Sequence, residues 1–291
     1  MNIAVFATNI SVDARHYVEV FFEELVRNGL ECYLHHNIVF HHQFELPAQA
    51  KVWKSREDLL LIKPDYLITL GGDGTLLNAA TYVRDSGIPI LGINTGRLGF
   101  LANIARHEIK AAINDLVNAN YHINERSLLD IEVVGSGQLE WPYALNEITV
   151  ARKDTTSMIT VHTWLDDEFL CSYWADGLII ATPTGSTGYN LSCGGPIIMP
   201  GTASFVITPV SPHNLNVRPF VIPNHRSITL RVESREANFL TSLDSRIESM
   251  PVATELRVKK ADFTIKMVQT EQQKFTKTLR EKLYWGKDFR N

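Results

Sequence analysis

The sequence predicts an α/β domain built on a Rossmann-like parallel sheet, followed by an all-β-rich, sandwich-like domain. Three observations carry this. Strand-like and helix-like runs alternate over the first 125 residues, the pattern of a parallel sheet covered on both faces. From about Ser127 short β-rich runs succeed one another between Gly, Pro, Asn and Asp, as in a sandwich or barrel. A chain of 291 residues without an internal repeat has room for two domains of ordinary size. The boundaries are set at 1–125 and 126–268, with 269–291 as a helical tail packing back on the first domain.

Each element has its own justification. "NIAVFA" is a buried strand, and Ser11 or Asp13 can cap the helix after it. In "ARHYVEVFFEELVRNG" Tyr17, Phe21 and Leu25 recur every four residues, and Gly29 sits where a helix stop belongs. "LECYLHH" is a second strand, and "REDLLLIKP" a short helix closed by Pro64. "DYLITL" and "IPILGINTG" are further strands, and in "RHEIKAAINDLVNANY" Ile109, Ile113 and Leu116 share one helical face. The second half reads as "LLDIEVV", "NEITVAR", "MITVHTWL", "EFLCSYW", "GLIIATP", "SFVITPV", "FVIPN", "SITLRVE", "ANFLTSL" and "ELRVKKADFTIKMV". The last segment, "EQQKFTKTLREKLYWGKDF", turns helical again.

Composition bounds the chemistry. A hydrophobic content of 45% with 21% charged residues and a net charge of −4 describes a globular protein without a polyanion-attracting surface. Nucleic acid is therefore not an expected partner. Cys32, Cys171 and Cys193 lie far apart, neither a disulfide framework nor a zinc pattern, and suit a reducing cytoplasm. No apolar run approaches 18 residues, so no membrane span is expected.

The segment "DYLITLGGDGTLLNAATYV" runs from a strand through a glycine elbow into a helix. Glycine lets the backbone approach a phosphate closely, and the free N–H groups of a helix start favour an anion. Asp73 is out of place there, because its charge repels phosphate. It makes sense if it handles the proton of an attacking hydroxyl or helps to hold a metal. The competing reading is a tight turn with a helix cap. The elbow is not a Walker P-loop, and Leu77 stands where a dinucleotide fingerprint needs its third glycine. "LGINTGRLGFL" offers a second glycine-rich turn after a strand. "DGLIIATPTGSTGYNLSCGGPI" offers Thr182, Thr184, Ser186, Thr187, Tyr189 and Ser192 among glycines, as hydrogen-bonding and stacking groups for a sugar or base.

Gly71–Thr75 "GGDGT", "GINTGRLGFL", Asn146–Glu147 in "ALNEITVAR" and "DGLIIATPTGSTGYNLSCGGPI" occur in an order and spacing that resemble the NAD kinases over nearly the whole chain. The GGDGT element alone is shared with lipid kinases; the Thr-Pro-Thr-Gly-Ser-Thr run with the Asn-Glu pair is more specific. The resemblance implies transfer of the γ-phosphate of ATP, or of a similar donor, to the 2′-hydroxyl of the adenosine ribose of NAD. It implies that Gly71, Gly72, Gly74 and Thr75 lie at the phosphates and that Asp73 accepts the hydroxyl proton. It places NAD contacts on Asp73, Gly74, Asn146, Glu147, Asp176, Thr187, Gly188, Tyr189 and Ser192, within the β-rich domain for all but the first two. Read from the residues alone, phosphoryl transfer calls for Mg²⁺ or another divalent cation with ATP to neutralise the donor phosphates, and no dedicated cage for it is visible, which suits an ion held largely by phosphates and water. The resemblance implies a homo-oligomer, a dimer or a tetramer. Two departures stand out. Gly188 replaces the usual alanine, a change expected to alter little beyond loop stiffness. Asn78 stands where many members have a basic residue, so a phosphate contact there is not carried over.

Other signals carry less. His35, His36, His41 and His42 in "LHHNIVFHHQF" lack metal-ligand spacing and read as a solvated loop. "RVKKADF" reads as the solvent face of a hairpin, and "VSPHNLNVRPFVIP" as edge and loop, with His213 structural. Two rival functions remain: a lipid kinase sharing the elbow, which a hydroxyl-rich polar segment disfavours, and a non-catalytic NAD or NADP sensor, which has no need of Asp73.

Overall fold

The computed structural model describes residues 1–41, 45–154 and 157–286. They form two compact units, one of residues 1–125 with 265–286 and one within residues 126–264.

The first unit starts with β1 (Asn2–Phe6), α1 (Arg15–Arg27), β2 (Glu31–His35), α2 (His36–His41), β3 (Lys51–Trp53) and α3 (Arg56–Ile62). It continues with β4 (Tyr66–Leu70), α4 (Asp73–Val83), β5 (Ile90–Asn94), β6 (Ile104–Ala105) and α5 (Ile109–Val117). The sheet runs in the order β5-β4-β1-β2-β3 and is parallel throughout, with Val5 opposite both Leu34 and Ile68. Every residue of β5 is buried, as expected for a strand covered on both faces. α1 lays Val18, Phe21, Phe22 and Leu25 on the core, and α5 adds Ile109, Ile113 and Leu116 to the same cluster. Gly29 takes the left-handed conformation, with φ of +65°, just past α1, a backbone state that costs glycine little. Ser55 and Asp58 form a reciprocal capping box at the start of α3.

The histidine-rich segment departs from the expected solvated loop. His35 ends β2 and is fully buried, and His36–His41 form α2; His42 lies outside the described residues. The His35 ring packs against Phe6, Trp53 and Tyr82 with centroids 4.6–5.3 Å away. Burial pushes its pKa down to about 4, so the ring is neutral at pH 7 and behaves as an aromatic core residue.

The second unit is all β apart from short helical turns. Its strands are β7 (Tyr121–Val134), β8 (Tyr143–Ala144), β9 (Glu147–Ala151), β10 (Ile159–Leu165), β11 (Glu168–Ala175) and β12 (Gly177–Ala181). The short helix α6 (Tyr189–Ser192) precedes β13 (Ser204–Val210), β14 (Phe220–Pro223), β15 (Ile228–Glu233), β16 (Asn238–Leu243), β17 (Arg246–Pro251) and β18 (Glu255–Thr270). One antiparallel sheet runs β14-β13-β12-β9-β16-β17, and a second layer runs β11-β10-β15-β18. Ile148, Val150, Ile180, Phe205 and Phe239 of the first layer share one core with Val161, Ile228, Leu230 and Val258 of the second, which makes this unit a sandwich. "RVKKADF" is part of the 16-residue strand β18, not a hairpin, with Leu256 and Val258 inward and Arg257 and Lys259 outward. β14 is an edge strand, and His213 stacks on Trp174 at 4.9 Å. The chain rejoins the first unit at Ile265, where Met267 pairs in parallel with Ile90, and continues into α7 (Phe275–Leu283).

Candidate active site

In the first unit the elbow is dictated by packing at β4 and α4. A Cβ at Gly71 would stand 2.2 Å from Thr75 Oγ1, so only glycine lets the first turn of α4 fold back on the strand end. Gly72 and Gly74 face open space, with nothing within 4 Å of a Cβ placed on either. The N–H of Gly71 donates to Ile93 O and that of Thr75 to Gly72 O, so the N–H groups left for an anion are those at exposed Gly72 and Gly74 and at Asp73 between them. Thr75 Oγ1 lies 3.0 Å from Thr8 Oγ1 at the end of β1.

Asp73 is not a helix cap. Gly72 is the N-cap residue, without a side-chain cap, and Asp73 is the first residue of α4. Its carboxylate turns to the loop after β5. Oδ2 accepts from the Phe100 N–H at 2.9 Å; Oδ1 accepts from the N–H groups of Leu101 and Ala102 at 3.1 and 2.9 Å. A Cβ on Gly99 would fall 1.8 Å from Oδ1, so glycine is required for this approach. Buried Asn94 ties the same loop, donating to Ala102 O at 3.1 Å and accepting from Gly96 N–H at 2.8 Å. From the other side, the Phe100 ring meets Phe275 and the ammonium of Lys282. A carboxylate oxygen has about two acceptor directions. Oδ2 accepts from one of the three donors and so has a second acceptor direction that no described backbone N–H fills.

In the second unit Asn146 and Glu147 stand at the start of β9, beside the loop 182–192. A Cβ on Gly185 would meet Asn146 O at 2.1 Å, and one on Gly188 would lie 2.9 Å from Glu147 Oε2 and 3.5 Å from Asn146 Nδ2. Alanine at 188 would therefore press on Glu147, an effect beyond loop stiffness. Asn146 Oδ1 and Glu147 Oε2 are buried without hydrogen-bond partners among the described residues. Burial, with the nearby charge of Asp244, pushes the Glu147 pKa up to about 8 despite a backbone hydrogen bond from Tyr189. Its carboxyl is then largely protonated at neutral pH. Tyr189 is 45% exposed, and its ring is available for stacking. Ser192 is exposed and Thr187 half-buried. Asp176 is paired with Arg152 at 3.1 Å.

The hydroxyls of the 182–192 loop do not all point to a ligand. Thr182 Oγ1 donates to Leu145 O at 2.6 Å, and buried Ser186 Oγ donates to Pro183 O at 2.7 Å while accepting from Ile198 N–H at 3.0 Å. Buried Asn190 ties Ser186 O, Pro196 O and Thr208 together. These are internal supports. Sequence reasoning missed Asn190, Asn94, Gly99 and Asp244. The glycine and Asn94 lie within the "GINTGRLGFL" pattern, which marks them; Asp244 sits in an ordinary-looking turn. Cavities of about 450 and 670 Å³ lie along α1 and residues 45–51 and include none of the predicted site residues.

A helix start with exposed glycines, beside a carboxylate fixed by three backbone N–H groups, is the arrangement that phosphoryl transfer to an alcohol group calls for. Comparison narrows the class. Residues 6–121 match the ATP-NAD kinase N-terminal domain, and residues 145–270 match the ATP-NAD kinase C-terminal domain. The NAD kinase of Christiangramia forsetii is 44% identical over 295 aligned positions covering 100% of both chains. That of Flavobacterium johnsoniae is 56% identical over 229 residues, 78% of each chain. The crystal structure of a yeast NADH kinase complexed with NADH shares the fold, with a TM-score of 0.88 and 23% identity, over 99% of this chain and 89% of that one. An NAD kinase from Archaeoglobus fulgidus in complex with ATP gives 0.77 and 25% over 98% and 99%. The chain belongs to the NAD kinase family.

Proposed function

We propose that the chain transfers the γ-phosphate of ATP to the 2′-hydroxyl of the adenosine ribose of NAD, with Asp73 as the residue that receives the hydroxyl proton. The observation that carries this reading is the first turn of α4. Bare Gly72 and Gly74 leave room for phosphate, and Asp73 keeps one acceptor direction on Oδ2. Phosphoryl transfer asks a protein mostly for alignment and charge stabilisation. Gly71, Gly72, Gly74 and Thr75 are assigned to phosphate. Asn146, Glu147, Asp176, Thr187, Gly188, Tyr189 and Ser192, with Asp73 and Gly74, are assigned to NAD. The buried oxygens of Asn146 and Glu147 that lack a hydrogen-bond partner among the described residues support their part of this assignment.

Among the described residues no three His, Cys, Asp or Glu side chains form a metal cluster, and both Asp73 oxygens accept backbone N–H groups. The described residues offer a divalent cation no cage. Mg²⁺ fits as part of the substrate MgATP, where it neutralises the phosphate charge. No described helix is long and apolar enough to cross a membrane. Three unpaired cysteines support a reducing, cytoplasmic setting. The edge strand β14, with Phe220 and Val221 exposed, supports a homo-oligomer, a dimer or a tetramer, since uncovered apolar edges are a liability. Light scattering at micromolar concentration tests this, and a fully active monomer contradicts it.

The activity is tested by incubating the protein with MgATP and either NAD or diacylglycerol. NADP is followed with an NADP-specific dehydrogenase, and lipid phosphorylation with labelled phosphate. NADP alone is the expected product. Labelled lipid would support the lipid-kinase alternative, and binding of NAD without turnover would support the sensor.

A further inference from the structure

The Asn146–Glu147 pair is held from two sides, and one of the holders lies 97 residues further along the chain. Asp244 sits in the turn between β16 and β17 with φ of +55°, a left-handed state that aspartate tolerates better than most residues. Its Oδ2 accepts from Leu145 N–H at 3.0 Å, and Oδ1 from the N–H groups of Asn146 and Glu147 at 2.7 and 3.2 Å. Its own N–H donates to Glu147 O at 2.9 Å. Three consecutive N–H groups converging on one carboxylate form an anion nest, here filled by the protein itself.

Thr182 ties two of the same residues, Leu145 and Asn146. Its hydroxyl donates to Leu145 O at 2.6 Å, its N–H donates to Asn146 O at 2.9 Å, and Gly185 rests on the Asn146 carbonyl. A turn closing a hairpin needs no buried charge, and burying one is costly. Burial indeed pushes the Asp244 pKa up, against the pull of the N–H groups and of Arg246. Arg246 also donates to Trp141 O and Tyr143 O. What the carboxylate secures is the backbone of 145–147, and with it the direction of two side chains whose oxygens are buried without a hydrogen-bond partner among the described residues.

We infer that Asp244 is a positioning residue for dinucleotide binding: it locks the 145–147 backbone and with it the side chains of Asn146 and Glu147, whose buried, unpaired oxygens are the groups a dinucleotide would satisfy. The inference rests on the assignment of those two residues to NAD. Asparagine at 244 has one acceptor oxygen, and its amide group must face at least one of the three N–H donors.

The test is steady-state kinetics and melting of Asp244→Asn beside the parent. The expected result is a rise of about tenfold in KM for NAD, with KM for ATP and kcat within threefold, a split that general loosening does not produce. An unchanged KM for NAD overturns the inference. So does a parallel rise of both KM values with falling melting temperature. Should Asp244→Asn fail to fold, Thr182→Val and Thr182→Ser read the same clamp from its other side. Valine should raise KM for NAD several-fold and serine should keep it, and a parental KM in Thr182→Val overturns the inference. A parent that makes no NADP from MgATP and NAD refutes the kinase reading instead, so the two failures are distinct.

Discussion

Asp73→Asn separates chemistry from architecture. Read from sequence, the exchange is nearly isosteric and should keep the fold. The structure changes that expectation, because three N–H groups, of Phe100, Leu101 and Ala102, converge on the carboxylate. Asparagine oriented with its oxygen at the Oδ1 position keeps two of them and turns its NH₂ toward the Phe100 N–H. Hydrogen bonds to a charged group contribute roughly 1.5–3 kcal/mol each, and a donor left unsatisfied costs about 1–3 kcal/mol. With one bond lost and two weakened at a part-buried site, a loss of about 2–4 kcal/mol is expected. At roughly 2–4 °C per kcal/mol for a unit of this size, the melting temperature should fall by about 4–16 °C. If Asp73 also takes the ribose proton, kcat falls by about 10²–10⁴-fold. The control is Asn94→Ala, which frees the same loop at Ala102 O and Gly96 N–H while leaving the carboxylate in place. It should melt lower yet lose less than about tenfold in kcat, below the range set for a missing base. The assay is kcat, KM and calorimetric melting for all three proteins. Asp73→Asn with kcat within threefold of the parent refutes the catalytic role, and an unmoved melting temperature refutes the anchoring role.

Two further outcomes concern the second unit. Glu147 has its pKa raised to about 8 from an ordinary 4.5. The neutral carboxyl is thus the form the fold favours; that contribution is fully present below about pH 4.5 and is lost as pH rises through 8. Glu147→Gln should gain melting temperature relative to the parent between pH 5.5 and 8.5, and parallel curves would contradict the buried, protonated carboxyl. Tyr189→Ala removes one exposed aromatic surface, worth about 0.5–1.5 kcal/mol beyond its area. KM for NAD should rise about 2- to 12-fold with kcat nearly unchanged, and a fall in kcat at constant KM would remove Tyr189 from the binding role.

The elements with strong periodicity were legible from residues alone. Phe21 and Leu25 of α1, and Ile109, Ile113 and Leu116 of α5, lie in the core as their spacing requires. The strand–elbow–helix of residues 66–83 was legible because glycine and aspartate there answer to local backbone needs. Short or polar strands were not. β3 has three residues, two of them exposed, and β17 is a mostly exposed edge strand; neither has enough buried positions to show a period. The histidine segment misled because polar composition suggests solvent. Yet the His35 ring, once neutral, packs like any aromatic in a pocket closed by Trp53 and Tyr82. The loop 182–192 misled in the other direction, because hydroxyls that bind sugars and hydroxyls that tie a loop to itself have the same composition. Asp244 gains its meaning from residues about a hundred positions upstream, and no local pattern can carry that.

Placement of a phosphate on the 2′-hydroxyl of the adenosine ribose of NAD is measured most directly by ³¹P NMR of the product formed from MgATP and NAD. A new phosphomonoester resonance matching that of NADP, absent with Asp73→Asn over the same time, is the predicted result. No new phosphomonoester, or one on any other hydroxyl of NAD, would contradict the assigned reaction.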